Sequence, residues 1–426
     1  MVHFAFVVNN YPPRTGGVEL HVQALAHELV RKGHRATVVT LGSPVGWRQD
    51  AGVEVLTLPE HFRVADILGF PSPGTRRRIS RLLHDLDADV VSVHTRFFPM
   101  SFVGWRAARA AGLPLIHTEH GSDHVTSDSF VIRTASKAVD LTLGRMVLRG
   151  ADRVLGVSEA VVAFVLRLSG VGARVFYNAI AVDSADSEGA AVTITGAASR
   201  TNHLVFVGRL VPGKGWDTYL DVVSQLKRAG RSVTGEVLGD GADLIELRRR
   251  IEAMGLSDAV VARGRVSQQE VRVALRGATL VNPTTLSEGF QTTLLEAIAE
   301  GGSVVTYPVP GAAVLAQAGA PVIVSSEPTP DSLFATLEGM LSAPPTPAPS
   351  GFIESWTWPA RAEEYIEIAG DVLLKNSRGR IRRVSPRHPR RILTLVATRK
   401  AAFFERRYLA GCTSLQRSNR CARGDS

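Results

Sequence analysis

Two glutamates eight residues apart, Glu288 and Glu296, have the spacing in this sequence that most favours ligand chemistry. They follow a short apolar segment, Thr279–Asn282, and the second lies about one turn into a helical pattern that runs to about Glu300. The first turn of a helix has backbone N–H groups without partners, which bind anions such as a diphosphate. The two carboxylates therefore flank a predicted anion site, and each can accept hydrogen bonds from hydroxyls. Four further candidate donor-binding residues lie between them: Gly289, Phe290, Gln291 and Thr292.

A nucleotide-sugar has the matching order of groups, namely a sugar, a diphosphate and a ribose. A second loop, Gly208–Gly215, is predicted to face the diphosphate, because it follows a strand and carries Arg209 and Lys214 around a glycine-rich bend. Such cations stabilise the negative charge that develops as a glycosidic bond breaks. The loop is not a Walker A motif, since its glycine spacing differs and no serine or threonine follows Lys214.

Weaker candidates lie in other loops. Gly16 and Gly17 precede a helical pattern and allow a ligand to approach the helix N-terminus, although a plain tight turn is the alternative. His120 follows an apolar run and is placed to donate a hydrogen bond to a sugar hydroxyl or a phosphate. Gly239 lies in a Gly-Asp-Gly turn, and Arg263 is a candidate for holding the base of the nucleotide.

The composition indicates a multidomain α/β protein of the cytosol. A chain of 426 residues exceeds what one hydrophobic core usually holds. No stretch approaches the ~18 apolar residues of a transmembrane helix, and Met1–Val8 lacks the basic start of a signal peptide. The two cysteines, Cys412 and Cys421, lie near the end, so neither a disulfide nor a thiolate metal site is expected in the folded part.

The basic charge is concentrated at the end of the chain. Residues 376–426 hold fourteen Lys/Arg and two Asp/Glu, a net +12, whereas the whole chain has +9, so residues 1–375 carry about −3. This composition predicts a basic, disordered tail. The alternative is a tail that binds an anionic membrane surface. Because the tail has few aromatic residues for stacking on bases, no nucleic acid partner is expected.

Apolar runs alternate with helical patterns in two series. The first series of runs is Val2–Val8, Ala36–Leu41, Val53–Leu58, Asp89–His94, Leu113–Thr118 and Arg153–Val157, and the second is His203–Val207, Ser232–Leu238, Ala259–Arg263, Thr279–Asn282 and Ser303–Tyr307. Continuous apolar runs favour buried parallel strands, and their alternation with helices favours doubly wound sheets. The predicted fold class is α/β, with two doubly wound parallel-sheet (Rossmann-like) domains facing across a cleft.

The boundaries follow from composition. We predict a first domain at 1–183, a polar linker at 184–201, a second domain at 202–350, a segment at 351–375 that ends in a helix, and the basic tail at 376–426. Ligands of doubly wound sheets bind at the carboxyl ends of the strands. We therefore expect the site between the two domains.

With these features the sequence resembles the family 4 retaining glycosyltransferases, which have the B-type glycosyltransferase (GT-B) fold. The resemblance covers about residues 1–375, and its motifs are specific as a set. Trp356–Tyr365 resembles the segment that crosses back to the first domain in this family. The matching motifs are Gly16-Gly17, His120, Asn178-Ala179-Ile180, Gly208-Arg209 with Lys214-Gly215, Gly239-Asp240-Gly241, and the pair Glu288 and Glu296.

The resemblance implies a retaining, metal-independent transferase without a cofactor, which takes its sugar from a UDP- or GDP-linked donor. The second domain would hold the donor, and the first a glycan or lipid-linked acceptor, as in cell-envelope or exopolysaccharide assembly. By position, Glu288 would bind the sugar hydroxyls, Glu296 the ribose, and Arg209 and Lys214 the diphosphate, with His120 near the reacting sugar. The expected location is the cytoplasm, including the inner face of the membrane.

The sequence departs from the family at two positions. Gln291 stands where a glycine is common, and Ala313 lies close to where a glutamate is common, so the donor sugar is not assigned. Two alternative functions are a nucleotide-sugar epimerase of the same fold, for which we find no convincing acid–base pair, and a non-catalytic protein whose tail binds anions or membrane. Slow release of UDP or GDP without acceptor would distinguish an enzyme from the second alternative.

Overall fold

The computed structural model describes residues 1–14, 16–64, 68–124, 130–181, 200–286 and 289–383, with side chains as far as residue 377. The chain divides into two compact units. The first, Met1–Tyr365, contains both large sheets. The second begins at Ile366, and its described part is the continuation of the last helix.

The strands of the first half are β1 (His3–Val7), β2 (Arg35–Leu41), β3 (Gly46–Asp50), β4 (Val53–Leu58), β5 (Glu60–Val64), β6 (Leu68–Pro71), β7 (Val90–His94), β8 (Leu115–Glu119), β9 (Arg153–Gly156) and β10 (Arg174–Val175). Strands β5 and β6 form an antiparallel hairpin. The others form, among the described residues, an eight-stranded sheet in the order β10-β9-β8-β7-β1-β2-β4-β3. It is parallel except for β3, which pairs antiparallel with β4.

The second half contains β11 (Arg200–Val207), β12 (Thr234–Leu238), β13 (Val260–Gly264), β14 (Ala278–Asn282), β15 (Ser303–Thr306) and β16 (Val322–Val324). These strands form a parallel sheet in the order β13-β12-β11-β14-β15-β16. From β11 the chain runs through β12 to the edge strand β13. It then returns to form β14 on the other side of β11. Doubly wound sheets bind ligands at this reversal, which lies between β11 and β14 here and between β1 and β7 in the first sheet.

Helices cover the sheets. In the first half they are α1 (Gly17–Arg31), α2 (Thr75–Asp85), α3 (Pro99–Ala111), α4 (Phe130–Val139), α5 (Arg145–Gly150) and α6 (Glu159–Ser169), with a π-helical turn at Asp140–Gly144. In the second half they are α7 (Trp216–Arg228), α8 (Leu244–Ala253), α9 (Gln268–Leu275), α10 (Thr292–Ala299), α11 (Ala312–Gln317) and α12 (Pro330–Ser342). A 3-10 turn at Ile353–Trp356 precedes the last helix, α13 (Trp358–Arg383).

The hydrophobic core joins the two halves. One cluster of buried residues includes Val157 and Phe164 from the first half and Val205, Leu280 and Leu295 from the second. Burying a side chain of this size contributes about 1.5–3 kcal/mol. The two sheets therefore share apolar packing as well as the connecting chain.

The segment after the second domain returns to the first. Backbone hydrogen bonds join Ile180 to Trp356 and Trp358, with N···O distances of 3.0 and 3.3 Å. Further along α13, the Tyr365 hydroxyl donates to Ser92 Oγ at 2.8 Å, beside the first sheet. The beginning of α13 is therefore fixed to the first domain, and it packs Tyr365 against β1 and β7.

The predicted fold class is confirmed, and the structure adds elements that the sequence pattern did not predict. Strands β3 and β5 are largely polar and partly exposed, so they lack the continuous apolar runs used to find strands. Helix α13 continues to Arg383, beyond the predicted end at Lys375. Most of the predicted linker (residues 184–199) and the tail from residue 384 lie outside the described residues. Among the helices that the structure describes, none has the length and apolarity needed to cross a bilayer.

Candidate active site

The glycine-rich loop after β11 is held against the loop after β14. The Gly213 carbonyl accepts hydrogen bonds from the backbone N–H of Thr285 at 2.9 Å and from Thr284 Oγ1 at 3.2 Å. This loop contains Arg209, which is exposed, and Lys214, which is half-buried. Both cations thus lie on one loop at the chain reversal of the second sheet, as the diphosphate assignment requires.

Two glycines allow this packing. A Cβ atom on Gly215, whose φ is +90°, would lie 2.3 Å from the Pro283 carbonyl oxygen. A Cβ atom on Gly239, whose φ is +155°, would lie 1.8 Å from the Gly208 carbonyl oxygen. Larger residues would therefore clash with backbone and be conformationally strained. Gly239 has a structural reason to be glycine, and its predicted contact with the donor stays a prediction.

The loop that leads into α10 carries the glutamate pair. Ser287 and Glu288 lie outside the described residues, so the position of the first carboxylate stays a prediction. Glu296 is half-buried on α10, and its surroundings are known. Burial raises the pKa of its carboxyl group, while hydrogen bonds from the side chains of Gln268 and Thr292 and the charge of Arg272 act in the opposite direction. The group keeps hydrogen-bonding capacity at the first turns of α10, where a ribose would lie.

Phe290 and Gln291 immediately precede α10, and their side chains have different surroundings. The Phe290 ring is buried and stacks on Trp356, with ring centroids 5.9 Å apart, so only its backbone faces the loop. Gln291 is the N-cap residue, and its side chain is 8% exposed. Neither amide atom of Gln291 has a hydrogen-bond partner among the described residues. A buried amide without partners is costly, which is consistent with a polar ligand nearby.

Arg263 lies apart from these loops. It is on β13, the edge strand, two strands from β11. Its guanidinium group pairs with Glu236 Oε2 at 3.1 Å and with Glu270 Oε1 at 3.5 Å. The structure therefore gives Arg263 two carboxylate partners, and contact with a nucleotide base stays a prediction.

In the first domain, Gly16 and Gly17 begin helix α1 as predicted. Gly16 is the N-cap residue in extended conformation, and a Cβ atom there would lie 2.3 Å from Glu19 Oε2. Gly17 has no atom within 4 Å of the corresponding Cβ position. The Glu19 carboxylate thus lies beside the first turn of α1, where a negative charge is favourable.

His120 lies immediately after β8 and is fixed through Glu119. The Glu119 carboxylate accepts the backbone N–H groups of His120 and Gly121 at 3.1 and 3.0 Å. It also pairs with the fully buried Arg96 at 2.9 Å, which in turn pairs with Asp140 at 2.9 Å. Burial alone would raise the pKa of the Glu119 carboxyl, but the charge of Arg96, the side chain of His117 and the backbone N–H of Gly121 together outweigh it and hold that pKa well below its usual range. This ion-pair network keeps the His120 loop in place.

The structure places two further histidines at His120, and the sequence analysis missed both. His94, at the end of β7, has Nδ1 3.1 Å from His120 Nε2. His21, on α1, packs edge-on against His120 with ring centroids 4.8 Å apart. Burial is the main cause that lowers the pKa of each of the three imidazoles, to about 4 for His21, so all three are neutral near pH 7. The signal available in the sequence was a histidine at the end of β7, a second after β8 and a third near the start of α1, which follows β1. These positions belong to the same edge of the first sheet, where its strands have their carboxyl ends.

This trio is also the place where a metal ion would be considered. Among the described residues, one nitrogen from each of His21, His94 and His120 lies within 4.8 Å of the others. His94 and His120, however, have these nitrogens within hydrogen-bond distance of each other. A hydrogen bond between them uses the lone pair that a metal ion would need. His94 and His120 are therefore accounted for by their mutual hydrogen bond, whereas His21 is bonded to Asn178 through Nδ1 and its Nε2 has no partner among the described residues.

The two domains meet at His120. A Cβ atom on Gly289 would lie 2.2 Å from the His120 carbonyl oxygen, so only glycine permits this approach. Asn178 links the same two regions, because its Oδ1 lies 2.9 Å from His21 Nδ1 and its Nδ2 donates to the Phe290 carbonyl at 3.4 Å. The structure thus brings His120 into contact with the loop after β14.

Comparison with known proteins agrees with this geometry. Residues 15–184 match Glycosyltransferase Family 4, and residues 192–351 match the group 1 glycosyl transferases. A crystal structure of Anabaena HepE in complex with UDP and glucose superposes with a TM-score of 0.58 at 18% identity, over 90% of this chain and 99% of that one. The chain belongs to the group 1 glycosyltransferases and has the GT-B fold.

Several curated relatives are named for the glycosylation of phosphatidylinositol. One component of the phosphatidylinositol N-acetylglucosaminyltransferase of Arabidopsis thaliana is 28% identical over 339 residues, which cover 78% of this chain and 73% of that protein. The GDP-mannose-dependent alpha-(1-6)-phosphatidylinositol monomannoside mannosyltransferase of Mycolicibacterium smegmatis is 25% identical over 274 residues, covering 62% and 68% respectively. This protein is accordingly a glycosyltransferase, as the sequence predicted.

Proposed function

We propose that this protein is a retaining, metal-independent glycosyltransferase that moves a sugar from a UDP- or GDP-linked donor to a hydroxyl of a lipid-linked or envelope-glycan acceptor. The observation that supports it most directly is that the loop after β14 contacts both of the loops that carry the other candidate groups. These are the cationic loop with Arg209 and Lys214 and the loop of neutral His120, and the contacting loop itself carries the glutamate pair.

The chemistry follows from these groups. Arg209 and Lys214 stabilise the departing diphosphate, and Glu288 and Glu296 hold the sugar and the ribose. The acceptor hydroxyl attacks the face from which the diphosphate leaves, and a leaving-group oxygen takes its proton. The anomeric configuration is then retained. Catalysis is mainly positioning and electrostatic stabilisation, so it depends on the two domains meeting correctly.

An exposed apolar segment supports a lipid-linked acceptor. At the start of α4, Phe130, Val131 and Ile132 are 70%, 73% and 51% exposed. The first turns of α2 carry three consecutive arginines, Arg76–Arg78, on the same domain. Exposed apolar side chains together with basic ones favour contact with an anionic lipid surface. The relatives named for phosphatidylinositol glycosylation agree with an acceptor of this kind.

We expect Glu288→Gln to fold normally and to lose most transferase activity. The change removes a charge-assisted hydrogen bond to the sugar, which corresponds to a roughly ten- to hundredfold lower rate. Turnover is measured as donor consumed and glycosylated acceptor formed. Glu252→Gln, an exposed change on α8, is the matched control. Near-wild-type turnover of the Glu288 variant would contradict the proposed donor site.

We expect activity to survive chelation of divalent cations. Arg209 and Lys214 supply the positive charge that a metal ion supplies in other transferases. Initial rates with and without EDTA, and with magnesium or manganese added back, test this expectation. If EDTA abolishes turnover and either metal restores it, the assignment of the cationic loop is wrong.

We expect the basic tail to increase binding to anionic membranes. Its net charge of +12 contrasts with about −3 for the first 375 residues, and each basic side chain near such a surface contributes about 1 kcal/mol. Full-length protein should sediment with phosphatidylglycerol vesicles at low salt more than a chain ending at residue 375, and salt should weaken this difference. Phosphatidylcholine vesicles are the control. Equal binding of the two chains to phosphatidylglycerol would exclude the tail as an anchor.

A further inference from the structure

The first turn of helix α1 carries a carboxylate that lacks a partner. Glu19 is 9% exposed, and no hydrogen bond or ion pair joins its side chain to another described residue. It lies on the helix face that also carries the buried Val22 and Ala26, so it points toward the sheet that this face covers. Its oxygens are not among the enclosed polar atoms without a partner, so they border an opening that reaches solvent.

The fold places this turn at the ligand-binding edge of the first sheet. Helix α1 connects β1 to the parallel strand β2, so it begins at the carboxyl ends of these strands. Strand β1 has β2 on one side and β7 on the other, and doubly wound sheets bind ligands in the crevice beside such a reversal. Two residues after Glu19, His21 packs against His120 with ring centroids 4.8 Å apart. The start of α1 therefore adjoins the candidate active site.

The same turn also offers hydrogen-bond donors. The backbone N–H groups of Gly17 and Val18 have no partner among the described residues, as is usual in the first turn of a helix. The N-cap residue, Gly16, has no side chain to cap them. A Cβ atom on Gly17 would have no atom within 4 Å, whereas one on Gly16 would lie 2.3 Å from Glu19 Oε2. A carboxylate acceptor and two N–H donors therefore border one open space.

Three kinds of ligand group respond differently to this arrangement. A phosphate accepts hydrogen bonds from the N–H groups, but the carboxylate repels its charge. An ammonium group donates to the carboxylate, but it cannot accept from the N–H groups and is disfavoured at the positive end of the helix dipole. A hydroxyl both donates and accepts and has no charge, so it satisfies the carboxylate and an N–H group together. Two neighbouring hydroxyls can use both carboxylate oxygens.

We propose that Glu19 is an acceptor-binding residue, which accepts hydrogen bonds from neighbouring hydroxyls of a cyclic polyol while the N–H groups of Gly17 and Val18 donate to them. The polyol is the head group of the lipid-linked acceptor, and this assignment rests on the proposed function. The polyol site itself does not depend on that function. Loss of such a charge-assisted hydrogen bond corresponds to a roughly ten- to hundredfold weaker affinity.

Binding is measured with myo-inositol as the probe, on protein labelled with 15N-glycine. The Gly17 amide signal is identified as the one that disappears in Gly17→Ala, a change for which the structure leaves room. In the wild type this signal should move saturably as inositol is added. Glu19→Ala should raise the inositol concentration at half-saturation roughly ten- to hundredfold, and Glu19→Gln, which keeps one acceptor oxygen, should raise it less.

Glu28→Gln is the matched control. Glu28 is 8% exposed on the same helix, but its Oε1 accepts a hydrogen bond from Arg31 Nη1 at 2.6 Å. It lies about 13 Å along the helix from Glu19, so its replacement should leave inositol binding unchanged. The proposal is overturned if inositol does not move the wild-type Gly17 signal, or if Glu19→Ala weakens binding no more than Glu28→Gln does. A Gly17 signal that responds to inorganic phosphate and not to inositol would also overturn it.

Activity separates this site from the proposed function. Release of UDP or GDP from UDP-glucose, UDP-N-acetylglucosamine or GDP-mannose without acceptor tests whether the wild type uses such donors. With phosphatidylinositol as acceptor, Glu19→Ala should raise KM for the acceptor while KM for the donor stays nearly constant. If the donor is hydrolysed and inositol binding does not depend on Glu19, this inference fails and the proposed function stands. If inositol binding depends on Glu19 and no donor is hydrolysed, the polyol site stands and the proposed function fails.

Discussion

Replacing Arg209 by alanine should lower transferase turnover by roughly 10²–10³-fold, the loss typical of removing one preorganised group that stabilises developing negative charge. Arg209 is exposed at the end of the central strand of the second sheet, so its loss should leave folding intact. The effect should appear mainly in kcat, because the charge on the diphosphate grows as the glycosidic bond breaks. Steady-state rates with a competent donor measure it.

Two further variants serve as controls for Arg209→Ala. Arg209→Lys should recover part of the activity, since it keeps the charge and loses the planar two-pronged donor. Arg249→Ala, on the exposed face of α8 and 68% exposed, removes an arginine from the same domain and should be silent. If Arg209→Ala turns over at a near-wild-type rate, the cationic loop does not stabilise the leaving group.

Acidification should destabilise the fold steeply below pH 6.5. His21, His94 and His120 have folded-state pKa values below the ordinary value of 6.5, chiefly because they are buried. Between the folded and the unfolded pKa, the unfolded chain binds more protons, so stability is lost as the pH falls. Each histidine contributes about 1.4 kcal/mol per pH unit, and His21, with a folded pKa of about 4, contributes about 3 kcal/mol over the whole window.

Two other groups change the pH dependence of the free energy of unfolding, in the directions given by their pKa shifts. His3 also has a lowered pKa and adds to the loss on acidification. Glu296 has a raised pKa, so it stabilises the fold as the pH falls toward that pKa and partly opposes the histidines. Urea unfolding across pH 7.5 to 4 measures the balance, with His21→Gln expected to flatten the slope and His84→Gln, whose side chain is 88% exposed, to leave it unchanged. Equal free energies of unfolding at pH 7 and pH 5 would rule out three neutral buried histidines.

The sequence predicted the parts of the molecule that depend on local pattern. Apolar runs identified the parallel strands, and the order of loops along the chain indicated which loops lie near each other, because strand ends at a chain reversal lie together. The loop with Arg209 and Lys214 and the position of His120 at the end of β8 followed from the same reasoning. These features need only the chain's periodicity and its alternation of strands and helices.

The histidine cluster could not be predicted in this way. His21 is separated from its partner Asn178 by 157 residues and Tyr365 from Ser92 by 273, so these contacts depend on how the complete chain packs. On the pattern of α1, His21 looks like one more polar residue beside the apolar stripe. Similarly, Arg263 looked available as a cation, and only the sheet order shows Glu236 and Glu270 around it.

The contact between Gly289 and the His120 carbonyl has a consequence for the time course of catalysis. The Gly289 backbone lies so near this oxygen that a sugar ring cannot pass between the two loops. A donor or product that passes between these two loops must therefore do so while they are apart. If substrates use this route, each catalytic cycle includes at least one opening, and the frequency of that opening sets the highest turnover number that the enzyme can reach, however fast the chemical step is.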